Sequence, residues 1–314
     1  MSDELRRSGL ALLMLLGGLA LGYTARKTRL VPERWGKTLH LVNIIALQAN
    51  VAWITMWGVT WEWNLIRLPV AGLILSMAAT LLGLQLGRLH RFEGRDRATF
   101  ALACGMSNLG TTGGLLVIRV LLNDQALRFG NVYLLYWSFF TFLFCFPLAK
   151  HYSSGTRTSF GRLVASSVGD VRTLPLVGLL VGLGLAAWGP PRPTVTEDIV
   201  LILVMVSGFA AMFAIGVTLH LRMVRHYIPA YFTQGGVKFL LSPLAAVALV
   251  ALLRLQGLHA QVVLIDASMS QAFYSVMIAN IFGLNVHLAN SMFLINTLTF
   301  LLVVFPLLSL LLPG

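Results

Sequence analysis

Long apolar runs, separated by short polar segments, dominate the chain. A helix needs about 20 predominantly apolar residues to cross the roughly 30 Å hydrocarbon core of a bilayer. Ten runs approach this length, and we predict a transmembrane helix at each of them. The ten predicted spans are 7–24, 37–57, 67–88, 98–121, 130–150, 173–188, 198–220, 228–252, 261–283 and 288–311. The pattern therefore predicts an all-α polytopic protein embedded in a lipid bilayer.

The first predicted span follows a short charged segment, as the apolar part of a signal peptide does. It lacks a clear small-residue cleavage site, and further apolar runs follow it. We therefore interpret residues 7–24 as the first transmembrane helix.

The composition argues against the main soluble classes. Apolar residues make up 57% of the chain and charged residues only 11%, whereas soluble domains average about 45–50% and about 25%. A soluble chain of this size cannot cover so much apolar side chain, which argues against a cytoplasmic enzyme, a nucleic-acid-binding protein and a secreted disulfide scaffold. The two cysteines, Cys104 and Cys145, lie in apolar runs and have no zinc-binding spacing.

Positive charge is distributed unevenly among the loops. Of the 23 Lys and Arg residues, 15 lie in loops that join odd-numbered to even-numbered spans, and 7 lie on the other side. Cytoplasmic loops carry an excess of Lys and Arg. We therefore predict a protein of the cell inner membrane with both termini on the extracellular or periplasmic side. The net charge of +12 then reflects topology, and no nucleic-acid partner is expected.

The order of the spans predicts an internal repeat. Five predicted spans precede the loop 153–170, which is rich in Ser and Gly, and five follow it. An odd number of spans per half means that the second half inserts upside down, and inverted repeats are typical of secondary transporters. We predict a first five-helix repeat at 1–152, a cytoplasmic linker at 153–170 and a second, inverted five-helix repeat at 171–314.

Polar patches lie at matching places in the fourth and ninth spans, at 103–118 and 265–280, and the first of them is also rich in Gly. Such interrupted spans indicate a transporter site, although small residues also permit tight helix packing. We predict breaks near Leu109–Gly114 and Met269–Ala272. A break exposes backbone N–H groups at the start of the second half-helix, where the helix dipole attracts a carboxylate. The candidate substrate ligands in the two patches are Ser107, Asn108, Gly110, Thr111, Thr112, Gly113, Ser268, Ser270, Gln271 and Tyr274.

Two ionisable residues lie inside predicted spans, where charge is costly and usually functional. Lys238 lies near the middle of the eighth span, where it could neutralise an anionic substrate or serve as a structural tether to backbone carbonyls. Asp266 is the one acid clearly inside a span. It could carry a coupling ion. The commoner interpretation of such an acid is a residue at the membrane interface, in the first turn of its helix. Tyr274 could stack on an aromatic substrate, although core packing is the commoner role.

The sequence further resembles the auxin efflux carrier family, in the same order along nearly the whole chain. Residues 91–114 are similar to a basic loop followed by the family's Asn-x-Gly crossover motif, and 267–283 are similar to the second crossover motif. Residues 21–54, 171–189 and 209–219 resemble the first two spans, the sixth span and the end of the seventh. Gln48, Leu115 and Ser270 stand where the family often has Pro.

The resemblance implies a secondary carrier of small organic anions, either auxin-like or malate-like carboxylates, that works by alternating access. It implies scaffold helices 1, 2, 6 and 7, and transport-domain helices 3–5 and 8–10 that carry broken, crossing helices 4 and 9. Gln48 becomes a candidate substrate ligand because it lies where the family breaks its second helix, although an interhelical hydrogen bond is the commoner role. A homodimer through the scaffold is compatible with this plan.

Three alternatives stay open. The bile acid:sodium symporter family shares the ten-span plan, so a sodium-coupled symporter of organic anions is the first, and the coupling ion is either a proton or sodium. A receptor that binds ligand without moving it is the second, and an intramembrane enzyme is the third. The sequence has no nucleotide-binding loop, hydrolase elbow or metal-binding His spacing. We therefore expect no catalytic residues, no metal site and no cofactor.

Overall fold

The computed structural model describes residues 16–58, 63–110, 113–154 and 159–312. Within these ranges every regular element is helical, apart from one isolated β-bridge, which confirms the predicted all-α fold. In chain order the helices are α1 (16–27), α2 (Trp35–Trp57), α3 (Arg67–His90), α4 (Gly94–Gly105), α5 (Gly114–Leu121), α6 (Gln125–Ser154), α7 (Phe160–Val168), α8 (Val171–Trp188), α9 (Val195–Thr218), α10 (Leu221–Leu252), α11 (Leu258–Ala267), α12 (Phe273–Phe282) and α13 (Val286–Leu311).

Seven of the described helices are long and apolar enough to cross a membrane, namely α2, α3, α6, α8, α9, α10 and α13. The predicted spans 98–121 and 261–283 are each divided, the first between α4 and α5 and the second between α11 and α12. Each half is too short to cross alone, since crossing takes about 20 helical residues. The predicted span 7–24 begins outside the described residues and continues as α1. The inverted ten-helix repeat stays a prediction.

Polar side chains begin several of these helices. Asn123, Asp170 and Asn285 each accept a hydrogen bond of 2.9–3.0 Å from a backbone N–H two or three residues later. Such caps satisfy donors that the first helical turn leaves without a partner. They place the starts of α6, α8 and α13.

Four of the long helices contain a wider π-helical turn. These turns are Asn43–Gln48 in α2, Phe140–Cys145 in α6, Val237–Leu241 in α10 and Phe300–Val304 in α13. Single π turns inside α-helices are frequent at functional sites. The turn in α10 carries Lys238, which lies at the site described below.

The chain divides by its contacts into two compact units, and each unit draws on both halves of the sequence. Unit 1 consists of Met1–Trp61, Thr141–Pro147 and Arg157–Leu219. Unit 2 consists of Glu62–Phe140, Leu148–Thr156 and His220–Gly314.

Glycines let the helices of unit 1 pack backbone to backbone. A Cβ atom at Gly178 or Gly182 of α8 would lie 2.6 Å from the carbonyl oxygen of Ala49 or 2.3 Å from that of Trp53, both in α2. A Cβ at Gly22 of α1 would lie 2.0 Å from the carbonyl oxygen of Phe213 in α9. Small residues at such interfaces are a common device of membrane helices, which gain little from the hydrophobic effect inside lipid.

An apolar cluster holds α3, α4, α10 and α13 together in unit 2. Its buried members are Ala79, Phe100, Ala103, Cys104, Tyr227, Ala230, Val237, Leu288 and Met292. Because Cys104 and Val237 lie next to the first helix interruption and to Lys238, this cluster positions the polar groups of the candidate site.

Candidate substrate site

The first interruption separates α4 from α5. The chain leaves the helix at Gly105, continues through an extended Met106, and resumes the helix at Gly114. The Gly114 N–H donates to the Asn108 carbonyl at 2.8 Å, which closes the turn that starts α5. A Cβ at Gly113 would lie 2.0 Å from that same oxygen, so the turn requires glycine there.

The second interruption, between α11 and α12, is shorter. Helix α11 ends at Ala267, Ala272 is extended, and α12 begins at Phe273. The Ser268 hydroxyl donates to the Leu264 carbonyl one turn back, at 2.8 Å. Ser268 therefore supports the end of its own helix in this conformation.

The two interruptions pair with each other through their backbones. The Asn108 N–H donates to the Ser270 carbonyl at 2.8 Å, and the Ala272 N–H donates to the Met106 carbonyl at 2.9 Å. These bonds form the antiparallel bridge between Ser107 and Gln271. Non-helical backbone at membrane depth is tolerated only where its polar groups are satisfied within the protein, and this pairing satisfies part of them.

A chain of buried amides braces the second interruption. The Gln271 N–H donates to Asn296 Oδ1 of α13 at 2.5 Å, and Asn296 Nδ2 donates to Gln234 Oε1 of α10 at 2.9 Å. Gln234 Nε2 in turn donates to the Ala103 carbonyl of α4 at 3.0 Å. The sequence reasoning missed Gln234 and Asn296, although an amide inside an otherwise apolar run is a usable signal.

Two other predicted ligands in the second patch face protein groups. Gln271 Nε2 donates to the Ser275 hydroxyl at 2.7 Å and to the Ala289 carbonyl at 3.3 Å. The Tyr274 ring is buried and meets the Trp137 ring edge-on, with centroids 6.2 Å apart. Both side chains pack inside unit 2 in this conformation. Ser270 is also buried and contributes its carbonyl to the bridge.

Lys238 connects α10 to the first interruption. Its side chain is 1% exposed, and Nζ donates to the Ser107 hydroxyl at 2.5 Å. Among the described residues, Nζ therefore bonds a side-chain hydroxyl. A structural tether would instead bond backbone carbonyls. A buried ammonium has three donors to satisfy, so the Ser107 contact alone does not saturate it.

Asp266 lies in the last turn of α11, directly before the second interruption. The interpretation that it lies in the first turn of its helix is wrong, because α11 starts at Leu258, eight residues before Asp266. Asp266 is 1% exposed, and neither carboxylate oxygen has a hydrogen-bond partner among the described residues. Its Oδ1 would lie 2.2 Å from a Cβ placed at Gly114, so the carboxylate touches the first residue of α5.

Lys238 and Asp266 line the same cavity in unit 2. The other polar groups of this cavity are mainly hydroxyls, and the Ser76 and Tyr136 hydroxyls are hydrogen-bonded to each other at 2.7 Å. The polar and thiol lining consists of Ser76, Cys104, Ser107, Tyr133, Tyr136, Lys238, Ser242 and Asp266. The cavity therefore joins the buried cation, the buried acid and the first interruption.

The remaining predicted ligands lie elsewhere. Gln48 belongs to unit 1, where its Nε2 donates to the Ser207 hydroxyl at 2.5 Å and Asn43 bonds the same serine. Gln48 therefore makes an interhelical hydrogen bond in this conformation, which is the commoner role of such an amide. Gly110 has open space where a Cβ would be. Thr111 and Thr112 lie outside the described residues.

The comparisons with known proteins point to membrane transporters. Residues 163–308, slightly under half of the chain, match the sequence model of the family described as "Membrane transport protein". Over these residues the match confirms the resemblance to the auxin efflux carrier family. The chain is also similar to an "Uncharacterized transporter" of Methanothermobacter thermautotrophicus, with 31% identity over 127 residues. That alignment covers 40% of this chain and 41% of the relative, so the chain matches about two fifths of the relative's length. Lys238, Asp266 and the second interruption all lie within the family match.

Proposed function

We propose that the protein is a secondary active transporter that carries small organic anions across the membrane by alternating access. The main support for this proposal is the pairing of two interrupted helices at Ser107 and Gln271. The buried Lys238 ammonium is bonded to Ser107 at the same place. The substrates that fit this chemistry are carboxylates of the auxin-like or malate-like class. No enzymatic step and no cofactor belong to this proposal.

The proposed binding site lies at the junction of the two interruptions. Helices α5 and α12 both start there, at Gly114 and Phe273, and helix N-termini favour negatively charged groups. The first patch would contribute Ser107, Asn108, Gly110 and Gly113, together with the neighbouring Thr111 and Thr112. The second would contribute Ser268, Ser270, Gln271 and Tyr274, and Lys238 would supply the positive charge. Asp266 would carry the coupling ion.

The division into units supports alternating access. Unit 1 contains the predicted spans 1, 2, 6 and 7, and unit 2 contains most of spans 3–5 together with spans 8–10. The resemblance assigns the same two groups to a scaffold and a transport domain. The spacing between the two interruptions also nearly equals that between the π turns of α6 and α13, as an internal repeat would require.

Seven apolar helices and the family match indicate an integral membrane protein. We propose further that it lies in the inner membrane, with both termini outside, and that unit 1 provides the contact of a homodimer. Cysteines placed at Lys27 and Trp188, both exposed, test the orientation. An impermeant maleimide added outside whole cells should label the cysteine at 188 and spare the one at 27, and the reverse pattern would contradict it.

Flux through purified protein tests the function. Proteoliposomes should take up labelled indole-3-acetate or malate, and the rate should not depend on a sodium gradient. Strict sodium dependence would favour the symporter alternative. Saturable binding with no flux would favour the receptor alternative, and chemical conversion of a lipid or peptide would favour an intramembrane enzyme.

A further inference from the structure

Lys238 and Asp266 are two buried ionisable groups that share one cavity without forming an ion pair. Each is 1% exposed, and both line the cavity beside the first interruption. Among the described residues, Lys238 Nζ bonds Ser107 and the Asp266 oxygens have no hydrogen-bond partner. A buried charge is costly unless it is paired and hydrogen-bonded. In this conformation Lys238 is therefore only partly satisfied, and no described residue satisfies the Asp266 carboxylate.

The surroundings offer Asp266 little other charge. The cavity wall adds the Cys104 thiol and the Tyr133 and Tyr136 hydroxyls to Lys238. The helices that pack against α11 are α3, α5, α6 and α10. Besides Lys238, these four helices carry basic side chains towards their ends, and none of those side chains is among the residues that line the cavity. They are Arg67 and Arg88 of α3, Arg119 of α5, Arg128 and Lys150 of α6, and Arg222 and Arg225 of α10. Lys238 is thus the one cation among the described residues that line the cavity with Asp266.

Asp266 lies where its negative charge would compete with any anionic ligand for the same positive groups. Its carboxylate lies against Gly114, at the start of α5, where the helix dipole favours negative charge. A carboxylate ligand bound to Lys238 would interact with the same cation and the same start of α5. Like charges that share one cavity repel each other, so an ionised Asp266 would weaken the binding of an anion there.

We infer that Asp266 competes with the anionic substrate for Lys238, so that each bound anion is accompanied by one proton on the Asp266 carboxylate. When the anion enters, an Asp266 oxygen takes a proton from hydronium in the water on the entry side. When the anion leaves, that O–H bond breaks and the proton passes to water on the other side. The protonated group no longer repels the ligand, and its O–H can donate to the ligand carboxylate. A monocarboxylate and its proton then cross together without net charge. This inference rests on the proposed transport of organic anions.

Proton uptake during anion binding measures this coupling directly. Because anion binding and protonation of Asp266 favour each other, each must strengthen the other by the same factor. Indole-3-acetate added to purified protein in weak buffer with a pH-indicator dye should cause uptake of about one proton per bound anion. Asp266→Asn should bind the same anion with no proton uptake, and its affinity should no longer change with pH.

Proteoliposomes separate coupling from translocation. Asp266→Asn should still exchange internal for external indole-3-acetate, at a rate that no longer changes with pH, yet lose accumulation driven by an inward proton gradient. Lys238→Gln should lose both, because it removes the cation that holds the anion. Asn50→Ala, an exposed change in unit 1, serves as the control that keeps both.

The outcomes distinguish this inference from the proposed function. Wild-type protein that neither binds nor moves organic anions would refute the function itself. Wild-type transport together with gradient-driven accumulation by Asp266→Asn would overturn the inference alone. If Asp266→Asn does not fold, proton uptake by the wild-type protein still decides, and anion binding without proton uptake would overturn the inference.

Discussion

Gly114 leaves no room for a side chain between the start of α5 and the Asp266 carboxylate. A Cβ there would lie 2.2 Å from Oδ1 and 3.0 Å from the Leu109 carbonyl oxygen. We expect Gly114→Ala to displace Asp266 and to cost about 1–3 kcal/mol of stability, as overpacking commonly does. Uptake of indole-3-acetate by proteoliposomes and thermal unfolding in detergent measure both effects. Gly236→Ala in α10 is the matched control, because its Cβ would meet nothing within 4 Å. Equal uptake and equal unfolding temperatures of the two variants would contradict overpacking at Gly114.

Asn108 tests the proposed ligand set one residue at a time. Its backbone bonds hold the bridge, whereas its side chain is only partly buried. Asn108→Ala should therefore leave the fold intact and remove one polar contact to the substrate. A hydrogen bond to a charged group is worth about 1.5–3 kcal/mol, so affinity for indole-3-acetate should fall roughly 10- to 150-fold. Asn50→Ala should change it little, since Asn50 is exposed and bonds the Ala46 carbonyl of its own helix. Equal losses would argue against the interruption as the site.

The polarity of single residues was predictable from the sequence, but their partners were not. Lys238 could be placed at membrane depth because it interrupts an apolar run. Its bond to Ser107 could not be predicted, since it depends on how α10 packs against the first interruption. Asp266 was misplaced for a related reason. An acid near the edge of an apolar run looks interfacial unless the early start of α11 at Leu258 is known.

At the level of elements, the buried amides should stabilise the second interruption cooperatively. Gln234→Leu or Asn296→Leu would each leave a buried polar partner without a hydrogen bond, at a cost of about 1–3 kcal/mol. Because these two side chains bond each other at 2.9 Å, the double variant should lose less than the two single losses together. Unfolding of the four proteins in mixed detergent measures this coupling. Gln85→Leu, an exposed amide on α3, should stay within about 0.5 kcal/mol, and strictly additive losses would contradict the coupling.

The interrupted elements were the most predictable part of the fold. Glycines and small polar residues at 103–118, and polar residues without glycine at 265–280, do not favour a continuous apolar helix. The chain leaves the helix within both stretches. The bounds were less accessible, because the bridge between Ser107 and Gln271 decides where backbone groups find partners. The π turns had no sequence signal that we recognised.

At the scale of the whole molecule, hydropathy predicts the membrane and the helical class but not how the helices group. Apolar runs are local and can be counted, whereas the two units combine segments that are far apart in the chain. The count of ten spans also treats an interrupted helix as one element, whereas length and hydropathy identify seven crossing helices among the described residues. The scaffold and transport groups came from the resemblance, and contact between distant helices cannot be derived from hydrophobic periodicity.

Alternating access requires each unit to move as a body, and spin labels can test this. Exposed positions for labels are Lys27 and Arg162 in unit 1, and Arg88 and Arg222 in unit 2. With both cysteines replaced by serine and uptake verified, the distances 27–162 and 88–222 should stay constant when indole-3-acetate is added. The distances 27–88 and 162–222 should shift by several ångströms or become bimodal, because rigid-body motion of domains changes only the separations between them. Changes of similar size within and between the units would contradict rigid units, and constant distances throughout would contradict alternating access.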